Sequence, residues 1–319
     1  MRKNGYSDLR DLLAGQAEIA ADSYINSPIY YRVTGRKGAK IYSDDHSCVI
    51  ICNHPHIKDK TIVFPEIGRA DYKLTANVLN LMDEPKNGVQ LARTTPAHIL
   101  KLKEQLSKLN SSKAINVQEI KENTLDWRYP VRILDTRIVS AMAGPRFAKI
   151  RNKVRVARQS VRAVSFKDID SLRAMRAVLK YWEGSMIFNS RDTQTMTEFY
   201  EEFFNILEEI HDGFDGLIYL QGKKPVGFSV WEVLDRKTAN QFINLADSSI
   251  TGLSDFQIVM SCTRLAEQDV RYLNLGGSEK KSLDQFKQKY QPVKTLPLVS
   301  AQVIYEPRHN DNISVQTLV

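Results

Sequence analysis

From Val161 onward the hydrophobic period of the chain changes in an order that leaves few ways to fold it. The run "VRAVSF" reads as a strand. "DIDSLRAMRAVLKYWEGSM" and "TQTMTEFYEEFFNILEEIHDG" then repeat their apolar residues at helical spacing, the first with Asp168 as its expected cap. "DGLIYLQG", "PVGFSVWEVLD" and "TANQFINLAD" read as strands, with "QGKK" as a turn between the first pair. A helix in "SDFQIVMSCTRLAEQDV", a strand in "RYLNLGG", a helix in "KSLDQFKQKY" and a last strand in "PLVSAQVIYEP" complete the order. The expected fold class is α+β, with mixed, mostly antiparallel sheets flanked by helices.

The first half mixes the same ingredients. "SDLRDLLAGQAEIAADS" has helical spacing behind Ser7, and "IYYRVTGRKGAKIYSDDHSCVIICNHP" reads as short antiparallel strands broken by Gly and Asp. "TPAHILKLKEQLSKLN" is an amphipathic helix, and "KAINVQEI" and "YPVRIL" are strands. A chain of 319 residues is long for one core, so two lobes of roughly 150 residues are expected. The basic, helix-like "PRFAKIRNKVRVARQS" marks the join, giving lobes 1–158 and 159–319. No apolar run approaches the roughly 18 residues of a membrane span, and no apolar signal segment follows the start, so a cytoplasmic protein is expected. Three cysteines, Cys48, Cys52 and Cys262, are too sparse for a disulfide scaffold. The net charge of +8 suggests an anionic partner.

The element order of the second half resembles the GNAT acyltransferase fold. A more specific likeness lies in "LNLGGSEKKSLDQFKQKYQP". It resembles the C-terminal motif of the catalytic domain of lysyl- and alanyl-phosphatidylglycerol synthases and their soluble relatives, L-x-x-F-K-x-K-[FY]-x-P. Leu283, Phe286, Lys287, Lys289, Tyr290 and Pro292 carry that pattern. A second passage of the family is similar to the stretch holding Trp127, Tyr129, Gly144, Phe147, Arg151 and Asn152. The likeness spans roughly residues 25 to 305 and extends to the Fem-type peptidoglycan aminoacyltransferases. It implies two tandem GNAT-like lobes, with catalysis in the groove between them and mostly on the second. It also implies an aminoacyl-tRNA donor and a lipid-headgroup, peptide or small-molecule acceptor.

Ordinary GNAT enzymes hold the pyrophosphate of coenzyme A in a [RQ]-x-x-G-x-[GA] loop at a helix N-terminus. Here that junction reads "SSITGLSDFQIV", with one glycine and no arginine. That disfavours an acyl-CoA donor; with the aminoacyl-tRNA co-substrate that the resemblance implies, no bound cofactor is expected, and acetyl-CoA or another acyl-CoA is the alternative donor. Asp247 and Ser249 precede the helix as candidates to bind the donor ammonium or orient the acceptor, or else as ordinary turn residues. Gly276 and Gly277, between Asn274 and Ser278, end a strand where neighbouring strands of this fold splay, leaving a slot for the acyl group or simply making a tight turn. Lys287 and Lys289 are two residues apart on a helix and cannot share a face. One is expected to stabilise an oxyanion or hold a phosphate in the cleft, the other to face solvent or nucleic acid. Asp247 and Glu279 are the candidate bases and Tyr290 the candidate proton donor.

Arg146, Lys149, Arg151, Lys153, Arg155 and Arg158 place six cations in thirteen residues, over an apolar stripe of Phe147, Ile150, Val154 and Ala157. They are candidate contacts for the tRNA acceptor arm, or a solvated linking helix. Cys48, Cys52, His54 and His56, with His46 nearby, lack a second ligand pair at a usual spacing, so no metal is expected. An acyl-CoA-dependent acyltransferase and an inactive RNA-binding scaffold remain as alternatives to the aminoacyltransferase.

Overall fold

The computed structural model describes residues 22–35, 38–54, 57–109, 113–120, 128–188, 194–210, 213–235 and 237–307. The helix expected over 7–23 falls almost wholly outside them, as does Trp127. In chain order, a 3-10 turn Ser23–Asn26 leads into α1 Pro28–Gly35, β1 Lys40–Ser43, β2 Ser47–Asn53, β3 Thr61–Val63 and β4 Ile67–Gly68. Next come α2 Lys73–Leu81, β5 Val89–Thr94, α3 Pro96–Lys108, β6 Lys113–Glu119, β7 Val131–Asp135 and α4 Thr136–Ala141. A 3-10 turn Pro145–Phe147 precedes α5 Ala148–Arg158, β8 Val161–Ser165, α6 Ser171–Phe188 and α7 Gln194–Glu209. The rest is β9 Asp215–Gln221, β10 Lys224–Val233, β11 Thr238–Ala246, α8 Leu253–Glu267, β12 Tyr272–Asn274, α9 Lys281–Gln288, β13 Lys294–Leu296 and β14 Val299–Pro307.

Two compact units emerge, and neither is continuous in sequence. The first takes Thr34–Asn123 and the chain from Leu298 on; the second takes the described residues up to Val33 together with Thr124–Pro297. The lobe boundary expected at 158/159 is therefore displaced. The reason is strand pairing: β7 lies antiparallel to both β12 and β13. In addition Ile150, Val154 and Ala157 of α5 share one core with Leu134, Leu217 and Trp231. At the other end, β14 pairs with β5 and β6 of the first sheet, not with the strands of the lobe in which it was expected.

The first sheet has the order β1-β2-β3-β5-β14-β6, with β4 on β2. Only β3 and β5 are parallel among its pairs. Its core gathers Val49, Ile51, Leu91, Val117 and Val303 from the strands and Leu79, Ile99 and Leu102 from α2 and α3. Thr95 starts α3 by accepting the His98 N–H on its hydroxyl at 3.3 Å, with Pro96 in the first turn, where its missing N–H costs nothing. The same logic overturns the strand expected at 29–35. Ser27 accepts the Tyr30 N–H at 2.9 Å and Pro28 opens α1, so a cap and a proline override the β-propensity of Ile29, Tyr30 and Tyr31.

The second sheet runs β13-β7-β12-β11-β10-β9-β8, with β11 and β12 parallel and the other pairs antiparallel. Strand alternation gives it two buried faces. Tyr219 meets Phe256 of α8 on one, with ring centroids 5.8 Å apart, and Phe228 meets Phe204 of α7 on the other at 6.0 Å. The cap of α6 is Asp170, whose carboxylate accepts the Arg173 N–H at 3.1 Å, rather than Asp168. Among the described residues no helix is long and apolar enough to cross a membrane.

Candidate active site

The parallel pairing of β11 and β12 lasts three residues, from Thr238 opposite Tyr272 to Asn240 opposite Asn274. Beyond it the strands separate. β11 continues to Ala246 beside β10, whereas the chain after Asn274 follows β7, with Leu275 N–H on the Arg132 carbonyl at 2.9 Å and Ser278 bridging Tyr129. Gly276 turns the chain at φ +67°, in the left-handed region. A Cβ there would meet the Tyr24 ring at 3.5 Å. The Tyr24 hydroxyl donates to the Gln241 carbonyl of β11 and lies 3.5 Å from the Asn274 carbonyl of β12. The gap expected as an acyl slot thus holds a phenol delivered by the 3-10 turn Ser23–Asn26.

Asn274 is fully buried and organises this corner. Its amide donates to Ser23 Oγ at 2.8 Å and Asp22 Oδ1 at 3.2 Å, and its Oδ1 accepts the Gly276 N–H at 2.8 Å. The Ser23 hydroxyl donates to Asn240 Oδ1 at 2.6 Å. Asp22, Ser23, Tyr24 and Asn240 escaped sequence reasoning, because their partners lie more than two hundred residues away and no local period marks them.

Lys287 and Lys289 do point to different places, as their spacing requires. Lys287 reaches back from α9 and gives its ammonium protons to the carbonyls of Leu275 at 2.7 Å, Gly276 at 3.3 Å and Gly277. Three successive carbonyls facing one ammonium fix the loop, and they occupy the donors an oxyanion would need. Lys289 is half-buried: its Nζ sits 2.6 Å from Asp255 Oδ1 and 4.0 Å from the Phe286 ring centre. Burial pulls the Lys289 pKa down, against the pull of Asp255. Tyr290 is fully buried and donates to the same Asp255 oxygen at 2.9 Å, and burial, followed by the Asp255 charge, pushes its phenol well above the usual range. A proton-donor role for Tyr290 does not fit this placement. It anchors α9 to the first turn of α8, while Arg132 and Asp284 tie α9 to β7 through two bonds of 2.9 and 3.1 Å.

Ser278 is 1% exposed, and its hydroxyl finds no hydrogen-bond partner among the described residues. A buried hydroxyl left unsatisfied beside a fixed loop is a candidate substrate donor. Glu279 follows it on the surface, near enough to Tyr200 of α7 that its charge, after burial, helps push that phenol up to about 12. Asp247 stands elsewhere. β11 runs six residues past Asn240, about 20 Å at strand rise, before Asp247 accepts the Ser249 N–H at 2.9 Å and its hydroxyl at 2.7 Å in a local turn.

The start of α8 is closed. Gly252 caps it at φ +81°, and a Cβ there would fall 2.3 Å from the Lys153 carbonyl of α5. Inside the first turn the buried Asp255 carboxylate takes Lys289 and Tyr290, with Lys153 Nζ at 3.7 Å. One glycine, no arginine and a resident carboxylate do not fit a pyrophosphate. Across the turn Pro145–Phe147 and α5 the apolar stripe is buried as expected and all six cations are exposed. Some have internal duties: Arg151 donates to the Met142 and Gly144 carbonyls, and Arg158 lies 5.8 Å from the Phe256 ring centre. Arg146 reaches Gln291 at 3.4 Å and Arg155 reaches Asn152 at 3.0 Å.

The family described as phosphatidylglycerol lysyltransferase, C-terminal, matches residues 132–301, from β7 through the glycine loop and α9 into β14. The chain belongs to this family. The matched part leaves out the turn Ser23–Asn26, although that turn completes the second unit. Among solved structures, a conserved protein of unknown function from Bacteroides thetaiotaomicron superposes with a TM-score of 0.68 at 16% identity, over 96% of this chain and 98% of its own. FemX gives 0.62 at 8% identity, over 94% and 96%. L-PGS from Bacillus licheniformis gives 0.60 at 13%, over 92% and 90%. At these identities the likeness is one of fold. No curated protein matches the chain.

Proposed function

We propose that this member of the lysyltransferase family moves an aminoacyl group from aminoacyl-tRNA to the amine or hydroxyl of a small-molecule, peptide or lipid-headgroup acceptor, acting in the cytoplasm where charged tRNA is found. The observation that carries the reading is the closed start of α8. The helix terminus that would cradle the pyrophosphate of an acyl-CoA donor already holds Asp255, clamped by Lys289 and Tyr290. The six exposed cations of the turn Pro145–Phe147 and α5 supply an anion-binding face of the kind an acceptor arm needs.

In the reaction the acceptor nitrogen or oxygen attacks the ester carbonyl of the donor, and a new C–N or C–O bond forms. The ester C–O bond to the terminal ribose breaks, and the acceptor proton ends on the ribose oxygen. Such transfers run downhill, so positioning, one oxyanion donor and a weak base suffice. Ser278 Oγ donates to the oxyanion, Glu279 accepts the acceptor proton, and Lys287 acts as a positioning residue by holding 275–277. Asn274 and Gly276 with Gly277 shape the floor.

The test pairs binding with transfer. Fluorescence titration with bulk aminoacyl-tRNA should show salt-sensitive binding that weakens at least tenfold when Lys149 and Arg155 are both changed to Glu. Labelled amino acid should then move from tRNA into a peptide, lipid or small-molecule fraction of an extract. Tight acetyl-CoA binding with indifference to tRNA would overturn the reading. Binding of tRNA without transfer of label would leave an RNA-binding scaffold.

A further inference from the structure

A second feature of the same unit is not used by this reaction. Over the sheet face where Thr238, Tyr272 and Asp135 stand level on β11, β12 and β7 lies a cavity of about 460 Å³. That is the size of a small-ligand site. Its apolar wall is Ile133, Ile138 and Val293, and the last two are 46% and 48% exposed, so they present carbon to the opening.

The charges in the wall do not balance. Asp135 is buried and already satisfied: it accepts the Arg137 N–H at 3.0 Å, the Ile138 N–H at 3.2 Å and Arg271 Nε at 3.1 Å. Arg271 spends only that edge of its guanidinium among the described residues, and it lies 5.4 Å from the Tyr272 ring centre, so a cation and an aromatic ring stand side by side in the wall. Lys294 is exposed and makes no ion pair among the described residues. Two cations and one compensated carboxylate leave a single uncompensated positive charge beside apolar and aromatic surface.

We propose that this cavity binds a small organic anion, with a carboxylate or phosphate head between Lys294 and the outer edge of Arg271 and a flat or aliphatic body on Tyr272, Ile133, Ile138 and Val293. The head supplies the missing charge, and the body covers the exposed carbon. The site requires no transfer chemistry, so it stands or falls separately from the aminoacyltransferase reading.

Isothermal titration of the full chain with phenylacetate, phenyl phosphate, phenylacetamide and inorganic phosphate tests it without any turnover. At least one aromatic anion should bind, with the neutral amide about tenfold weaker or worse, and Lys294→Gln should weaken the anion about tenfold while leaving the melting temperature unchanged. A preference for phenyl phosphate or for phenylacetate identifies the head group. Because Arg271→Gln leaves Asp135 buried with one partner fewer and can cost folding, Val293→Ser is the second variant, and it should weaken the aromatic anion as well. Absence of binding, equal binding of the amide, or an unchanged affinity in Lys294→Gln overturns the proposal. Inorganic phosphate binding as tightly as phenyl phosphate overturns the role of the apolar wall.

Discussion

At the scale of single residues, the glycine loop stands on Lys287. Replacing it by Met keeps the stem and removes the donor, so the buried carbonyls of Leu275 and Gly277 lose its ammonium while that of Gly276 keeps only the Arg132 N–H at 3.2 Å. The expected cost is on the order of 3 kcal/mol, read as a lower urea midpoint, together with lost transfer. A Lys287→Met protein of unchanged stability and no activity would instead make Lys287 the oxyanion donor. Ser278→Ala should behave in the opposite way: stability holds or rises slightly, since a partnerless buried hydroxyl disappears, while the transfer rate falls on the order of 100-fold. Sequence reasoning could see that Lys287 and Lys289 diverge, because a helix turns a fixed angle per residue. It could not see their partners. Lys287 bonds to main-chain carbonyls, which every residue carries, and Lys289 to Asp255 on a different helix.

At the scale of elements, the legible pieces are those with an unbroken period. Helix α5 is one: Ile150, Val154 and Ala157, with the capping Phe147 before them, face inward as their spacing requires. Helix α1 was misread because aromatic and β-branched residues fill it and only Ser27 and Pro28 announce its start. Strand β2 carries Cys48 and Cys52, both buried, and burial raises each thiol to about 12. These raised values stabilise the fold below pH 9, where the unfolded thiols are also protonated, and that contribution is lost as pH climbs toward 12. Each thiol then removes about 1.4 kcal/mol per pH unit. Urea midpoints measured from pH 8 to 10.5 should therefore fall more steeply for the native chain than for a Cys48→Ala, Cys52→Ala variant.

At the scale of the whole molecule, what stayed hidden is which strand joins which sheet. Hydrophobic period assigns a strand but not its neighbour, and the decisive pairs are distant: β7 with β12, and β14 with β5 and β6. The basic stretch at 145–160 resembled a linker in composition, yet it is a helix seated in the second core. A fragment spanning 159–319 should accordingly lack a cooperative thermal transition by circular dichroism, for want of β7, α5 and the turn Ser23–Asn26, and co-expression with 1–158 should restore it. A sharp melt from 159–319 alone would contradict the division of the chain given above. The inner position of β14, between β5 and β6, also sets a timetable. As the chain leaves the ribosome, β5 and β6 have no strand to join them until the intervening stretch Thr124–Pro297 of the second unit has been made. Until β14 is made the first unit carries open strand edges, so its folding in the cell waits on synthesis of the second unit and is exposed to chaperones meanwhile.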